Sequence, residues 1–167
     1  MAVCEILIHP ADCLKRVAEP VDSFDSSLQA MLTDLEDTLI GAPACVGIAA
    51  PQIGVSLRVV MTDVDQARGG QYGRLALINP EIISRQGQVS GREGCLSVPD
   101  YTGNVMRAEQ VSVRAFDAQG RHQLYEFSGF EARVVQHEID HLDGLLFLDR
   151  LVSRRRDLFR RKVYKKE

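Results

Sequence analysis

Residues 134–144, VVQHEIDHLDG, place two histidines four positions apart, with a glutamate directly after the first. At 3.6 residues per turn, that spacing stacks His137 and His141 on one face of a helix. Val134, Val135, Ile139 and Leu142 surround the pair, so the segment is expected to be buried with both imidazoles turned inward. A buried imidazole needs partners for both ring nitrogens, and a metal ion supplies one. In an H-E-x-x-H helix two imidazoles can grip one cation while Glu138 reaches a water beside it. The fold must therefore wrap other elements around this helix.

The rest of the chain sorts into those elements. VDSFDSSLQAMLTDLEDTLIGAP, from Val21, repeats Leu28, Met31, Leu32, Leu35 and Leu39 at helical spacing. Acidic and hydroxyl residues open it and Gly41 and Pro43 close it, which predicts a first helix. Strand-like pieces follow: VGIAA, LRVVMTD, RLALINP, VSVRAFD and HQLYEF, separated by Gly, Asp and Pro. DAQG at 117–120 reads as a hairpin turn. The histidine helix is predicted from Ser128, where S-G-F-E sets Glu131 in a capping-box position, to a stop at Gly144. A last amphipathic helix is predicted from Ser153. The strands cluster without regular β-α alternation. This argues α+β: largely antiparallel sheets packed around a central helix carrying HExxH, plus an N-terminal helix and a C-terminal helix. At 167 residues without an internal repeat, one domain spanning 1–167 is expected.

Two histidines leave a metal site incomplete. H-E-x-x-H proteases take a further ligand from later in the chain. After His141 no histidine remains, the only glutamate is Glu167, and Asp143, Asp149 and Asp157 sit in no matching motif. Upstream, GREGCLSVPDY sets Cys95 between a glycine and an apolar residue, at the expected end of a strand. A thiolate there is a soft ligand, and Cys-His-His leaves one position of a tetrahedral cation open for water. From its own surroundings Cys95 also reads as an inert, small core side chain. His9 and His122 lack ligand spacing and read as structural or surface residues.

A further stretch is VGIAAPQIG, residues 46–54. GIAAPQ, EGCLS and QHEIDH, in that order, closely resemble the motifs of the peptide deformylase family, which removes the formyl group from nascent bacterial chains. ILIHPADCLKRVAEPV is similar to that family's opening segment. The resemblance implies metal ligands at Cys95, His137 and His141, and a catalytic glutamate at Glu138. It implies an oxyanion site made by the Gln52 amide and the Leu96 backbone N–H. Gly47, lacking a side chain, would lie along the bound peptide. Val46, Phe130 and Val134 are candidates for the wall of a methionine pocket. Glu93 and Arg107 are implied as a supporting pair, with Asp140 as a further member. The implied substrate is a nascent formyl-Met polypeptide. The implied metal is Fe²⁺ in the cell, with Zn²⁺, Ni²⁺ or Co²⁺ in purified protein because the divalent affinity order disfavours iron.

One position departs from the family pattern G-x-G-x-A-A-P-Q: Cys45 stands at the first glycine. If that position needs a positive φ, a cysteine is strained there. If it lies at the pocket rim, the change re-tunes substrate binding. Cys45 is also a candidate oxidation-sensitive thiol.

No run of 18 apolar residues occurs, so no membrane span is expected. The opening residues lack a basic region followed by a long apolar stretch, and the four cysteines lack CxxC spacing. A cytoplasmic protein with reduced thiols and no membrane or DNA partner is expected. The net charge of −3 divides unevenly, with +6 on residues 153–167 and −9 on the remainder. That basic tail is a solvated helix end or, as the resemblance implies, a contact with the ribosome. Two other readings stand beside a deformylase: a non-catalytic metal-binding or ribosome-associated relative, and a zincin-like peptidase.

Overall fold

A computed structural model describes residues 3–162 of the chain. Helix α1 spans Ser26–Gly41 and is capped by Asp25, whose carboxylate accepts from the Leu28 amide at 3.1 Å. Its predicted apolar stripe is buried, Leu35 completely, in a cluster with Ile48, Val59 and Ile78. Strands β1 (Gly47–Ala49), β2 (Val59–Val64), β3 (Gly73–Gln86), β4 (Val89–Cys95), β5 (Val98–Arg107), β6 (Gln110–Phe116) and β7 (His122–Ser128) follow. Helix α2 (Gly129–Leu142), a single turn α3 (Arg154–Asp157) and β8 (Leu158–Arg160) complete the order. One antiparallel sheet runs β1-β2-β3-β6-β7 and a smaller one β4-β5-β8.

Strand β3 joins two neighbours along its length. Its first half pairs with β2, and from Ile78 onward it pairs with β6. The register shifts between Ile78 and Glu81, where Asn79 takes φ +50 and Pro80 has no N–H to give. The Asn79 side chain accepts from the Val21 amide at 2.8 Å and donates to its carbonyl at 2.9 Å, tying the N-terminal segment to this bulge.

Helix α2 carries the HEIDH stretch, and every residue from Glu131 to Leu142 is buried. Ala132, Val135, Ile139 and Leu142 form one stripe against Val60, Leu77, Val113 and Phe127 of the large sheet. Fully burying a Leu or Phe in such a core stabilises the fold by about 1.5–3 kcal/mol. Gly144 takes φ +73 just beyond the helix, the left-handed stop its sequence position suggests.

Two local expectations give way to long-range contacts. Ser128 is the N-cap, but the capping box does not form. The Glu131 carboxylate instead accepts from the Gln71 and Tyr72 amides at 3.0 and 3.3 Å, because the loop entering β3 brings two donors to it. The C-terminal helix expected from Ser153 is only the turn α3. Leu158 and Phe159 then pair with Gly103 and Thr102 on the open edge of β5, and Leu158 packs against the cluster of Val98, Val105 and Phe147. Ladder bonds and burial outweigh a short helix that is marginal on its own. Residues 163–167 of the predicted helix lie outside the described residues. No helix among those described is long and apolar enough to cross a membrane.

Candidate active site

A helix buried on all sides is ordinarily apolar, yet α2 buries Glu131, Arg133, Gln136, His137, Glu138, Asp140 and His141. Each must find a partner or carry a desolvation cost. Gln136 bonds the Ala108 backbone N–H and C=O at 3.1 and 2.9 Å. Arg133 donates to Glu93 at 3.0 Å and to the Val89 and Val105 carbonyls. Asp140 accepts from Arg107 and Arg150. His137 Nδ1 lies 2.8 Å from the Glu93 carboxylate. Two buried side-chain atoms are left over among the described residues: Glu138 Oε2 and His141 Nδ1. Both belong to the HEIDH stretch.

The small sheet brings the missing donor to that stretch. Cys95 ends β4, and the tight turn through Leu96 and Ser97 enters β5 at Val98. Cys95 Sγ thereby lies 3.4 Å from His141 Nε2. Donor atoms of Cys95, His137 and His141 all lie within 4.8 Å of one another, and all three residues are buried. A soft sulfur and two imidazole nitrogens at that spacing form a candidate site for a divalent transition cation, and the set fits one. Gln52 closes the site from the turn after β1. Its Oε1 accepts from the Ala49 amide at 2.9 Å, and its Nε2 donates to Ser97 Oγ at 3.1 Å beside Cys95 Sγ at 3.5 Å.

Charge is distributed unevenly over these groups. Burial works against an ionised Glu93, but hydrogen bonds from His137 and Arg107 bring its carboxyl down to about 2. Burial pushes Glu138 up to about 7. Burial also opposes a charged His137, yet its hydrogen bonds to Cys95 and Glu93 hold its pKa well above the ordinary imidazole value. His141 is pushed well below that value by burial and by the positive charge of His137 and Arg107. His141 thus presents the neutral ring that binds metals, while a cation at this site would compete with the proton on His137.

A cavity of about 300 Å³ opens over Cys95, His137 and Glu138. Its walls include Val46, Gly47, Gln52, Leu96, Phe130 and Val134, the residues singled out from sequence. Glu93 also reaches it, whereas Arg107 and Asp140 line a separate polar cavity with Arg150. A Cβ at Gly47 would stand 2.6 Å from Glu138 Oε1 and 2.8 Å from its Cγ. Only glycine lets β1 pass so close to this carboxylate.

Residues 3–157 match the family model for polypeptide deformylase. The chain belongs to the polypeptide deformylase family. Peptide deformylase 1 of Bacillus subtilis is 46% identical over 151 residues, 90% of this chain and 91% of that relative. The crystal structure of a peptide deformylase from Legionella pneumophila superposes with a TM-score of 0.85 at 43% identity, covering 93% of this chain and 89% of that one. A class I type b peptide deformylase from Acinetobacter baumannii, solved with Met-Ala-Ser bound, superposes with a TM-score of 0.83 at 36% identity, over 90% and 99% of the two chains.

Within this family frame Cys45 is not strained. The positive φ falls one residue earlier, at Ala44 with φ +61. Cys45 lines the cavity, its thiol donating to the Gly47 carbonyl at 3.0 Å, and burial pushes it up to about 11. It is a neutral wall group at neutral pH. Three partners escaped the sequence reading: Ser97 on Gln52, Arg133 on Glu93 and Arg150 on Asp140. Arg133 had a legible signal, since it stands one helical turn before His137. Ser97 closes the EGCLS motif itself. Arg150 had none, because a loop returns it to the helix.

Proposed function

We propose that the protein is a metal-dependent hydrolase that removes the formyl group from the N-terminal formyl-methionine of nascent polypeptides. The observation that carries this reading is the meeting of one thiol and two imidazoles beside an orphaned carboxylate, in a chain of the deformylase family. Cys95, His137 and His141 would hold the cation, iron(II) in the cell, with zinc, nickel or cobalt taking its place in purified protein. When bound, it supplies Lewis acidity toward water and the formyl oxygen.

The side chains carry the remaining tasks. Glu138 takes a proton from the attacking water and passes it to the departing amine, a double task open to a buried carboxylate that has no other hydrogen-bond partner at Oε2. The Gln52 amide and the Leu96 N–H stabilise the formyl oxygen as it gains charge. Ser97 fixes the Gln52 amide. Glu93, held by Arg107 and Arg133, fixes the His137 ring through Nδ1 and leaves Nε2 as the nitrogen that would hold the cation. Val46, Phe130 and Val134 offer apolar walls for a methionine side chain. Met-Ala-Ser, bound by the Acinetobacter relative, is the product expected from a formyl-Met-Ala-Ser chain.

The test is formate release from formyl-Met-Ala-Ser by anaerobically purified protein, with metal analysis of the same sample. Metal-loaded protein that fails on every formyl-Met peptide would refute the reading, and cleavage of internal peptide bonds would favour a peptidase. Gly47→Ala is expected to displace Glu138 and lower turnover about 10²-fold with metal retained. Unchanged kcat would show that Glu138 is not positioned by this contact.

A reaction on nascent chains would take place in the cytoplasm, beside translating ribosomes. Arg154, Arg155 and Arg156 are exposed, a compact cationic group for ribosomal RNA phosphates. Reversing all three to Glu is expected to reduce co-sedimentation with ribosomes at physiological salt. Equal pelleting removes this partner.

A further inference from the structure

We infer that Arg161 and Arg92 make the mouth of the cavity selective for peptides with an acidic side chain shortly after the methionine, an inference that rests on the deformylase reading. Strand β8 delivers Arg161. The backbone N–H of Arg161 donates to the Asp100 carbonyl at 2.8 Å, which fixes the chain as it leaves β8. Its side chain then crosses β4: a Cβ built on Gly94 would lie 2.6 Å from Arg161 Nη2 and 3.6 Å from its Cζ. Glycine at 94 makes room for this guanidinium beside the strand end that carries Cys95.

Arg92 stands two residues before Gly94, on the same face of β4. Its guanidinium carbon sits 3.7 Å from the ring centroid of Phe159 in β8. It donates to Asn104 Oδ1 at 3.0 Å and Thr102 Oγ1 at 3.3 Å, both neutral. The two arginines line the catalytic cavity and are exposed. Neither forms an ion pair among the described residues, unlike Arg133 on the same cavity.

The charges inside the cavity do not offset them. Glu93 is engaged by Arg107, Arg133 and His137. Glu138 belongs to the reacting centre. The mouth therefore keeps two uncompensated cations in a cleft whose low-dielectric walls focus their field. A formylated chain arrives without an N-terminal ammonium, so the first charge to meet these guanidiniums is a substrate side chain. Asp or Glu there is drawn in, and Lys or Arg is repelled.

The experiment uses metal-loaded protein and amidated formyl-Met-Xaa-Ser and formyl-Met-Ala-Xaa, with Xaa as Asp, Ala or Lys. Amidation leaves Xaa as the only charged group on the peptide. At one position or both, kcat/KM is expected to fall in the order Asp, Ala, Lys. Attraction and repulsion of about threefold each give about tenfold between the extremes, as for exposed pairs. The difference should lie in KM and shrink as salt is added. Arg161→Glu is expected to reverse the order and Arg161→Lys to keep it. Equal turnover of all peptides, or an order that survives Arg161→Glu combined with Arg92→Glu, overturns the inference. Should Arg161→Glu disturb β8, the salt dependence in the unaltered protein still decides. Calorimetric affinity for the matching unreactive N-acetyl-Met peptides reads the same order without turnover, so loss of activity on every formyl peptide would count against the deformylase reading alone.

Discussion

Glu138→Gln lowers formate release by about 10²–10⁴, the usual contribution of a positioned proton carrier, while metal content stays at the parent level. That is the expected result because Glu138 stands beside the three donor residues without being one of them, and because the amide matches the carboxyl in size. Burial pushes the Glu138 carboxyl up to about 7 against an ordinary 4.5, so the folded protein binds its proton more tightly than the unfolded chain does. Stability of metal-free protein therefore falls as pH rises from about 4.5 through about 7. Glutamine removes that loss, and metal-free Glu138→Gln should melt higher than the parent at pH 8. Activity surviving the substitution would discard Glu138 as the proton carrier, and a lower melting temperature would contradict the burial argument.

The largest effect on stability is expected from Arg107→Met. Arg107 grips both oxygens of Glu93 on β4, at 3.0 and 2.9 Å, and also bonds Asp140 on α2, all within the protein interior. Methionine keeps much of the volume but takes one cation from each of two buried carboxylates, leaving Glu93 to Arg133 and His137 and Asp140 to Arg150, which costs about 3 kcal/mol. A urea unfolding curve reads that loss directly. The acid limb reads the same network independently. Glu93 titrates at about 2 when folded against an ordinary 4.5, so its contribution is present above about 4.5 and disappears as pH falls through about 2. Without Arg107 the folded value moves back up, and acid unfolding should begin at higher pH. Metal affinity is expected to drop about 10–100-fold as His137 loses its fixed orientation. A variant with the parent's urea midpoint and acid profile would show that Glu93 does not depend on Arg107.

The parts legible in the sequence were those whose signal is local. The leucine stripe of α1, the apolar flanks of HEIDH and the hairpin turn at 117–120 each state their geometry within one segment. The β4–β5 hairpin gave less. Beyond a strand ending at Cys95 the sequence does not announce it, because Gly91, Gly94 and Gly103 interrupt the pair, and each is small to admit a side chain from elsewhere: Arg133, Arg161 and Leu151. Only the assembled fold shows those visitors. Glu131 and the tail beyond Ser153 failed for a related reason, since a distant loop and a distant strand edge outbid the local preference. The site was legible to the extent that motifs name it. Its support Arg150, and the guanidinium of Arg161, arrive by tertiary contact.

Strand β8 also has a protective consequence. With β4 on one side and β8 on the other, β5 has no open ladder at Thr102 and Gly103. Proteolytic trimming behind Ser153 would bare that backbone to any extended chain, a second trimmed copy included. The same short segment that steers peptides toward the cleft thus guards the enzyme against sticking to itself, and light scattering of a trimmed sample would reveal it.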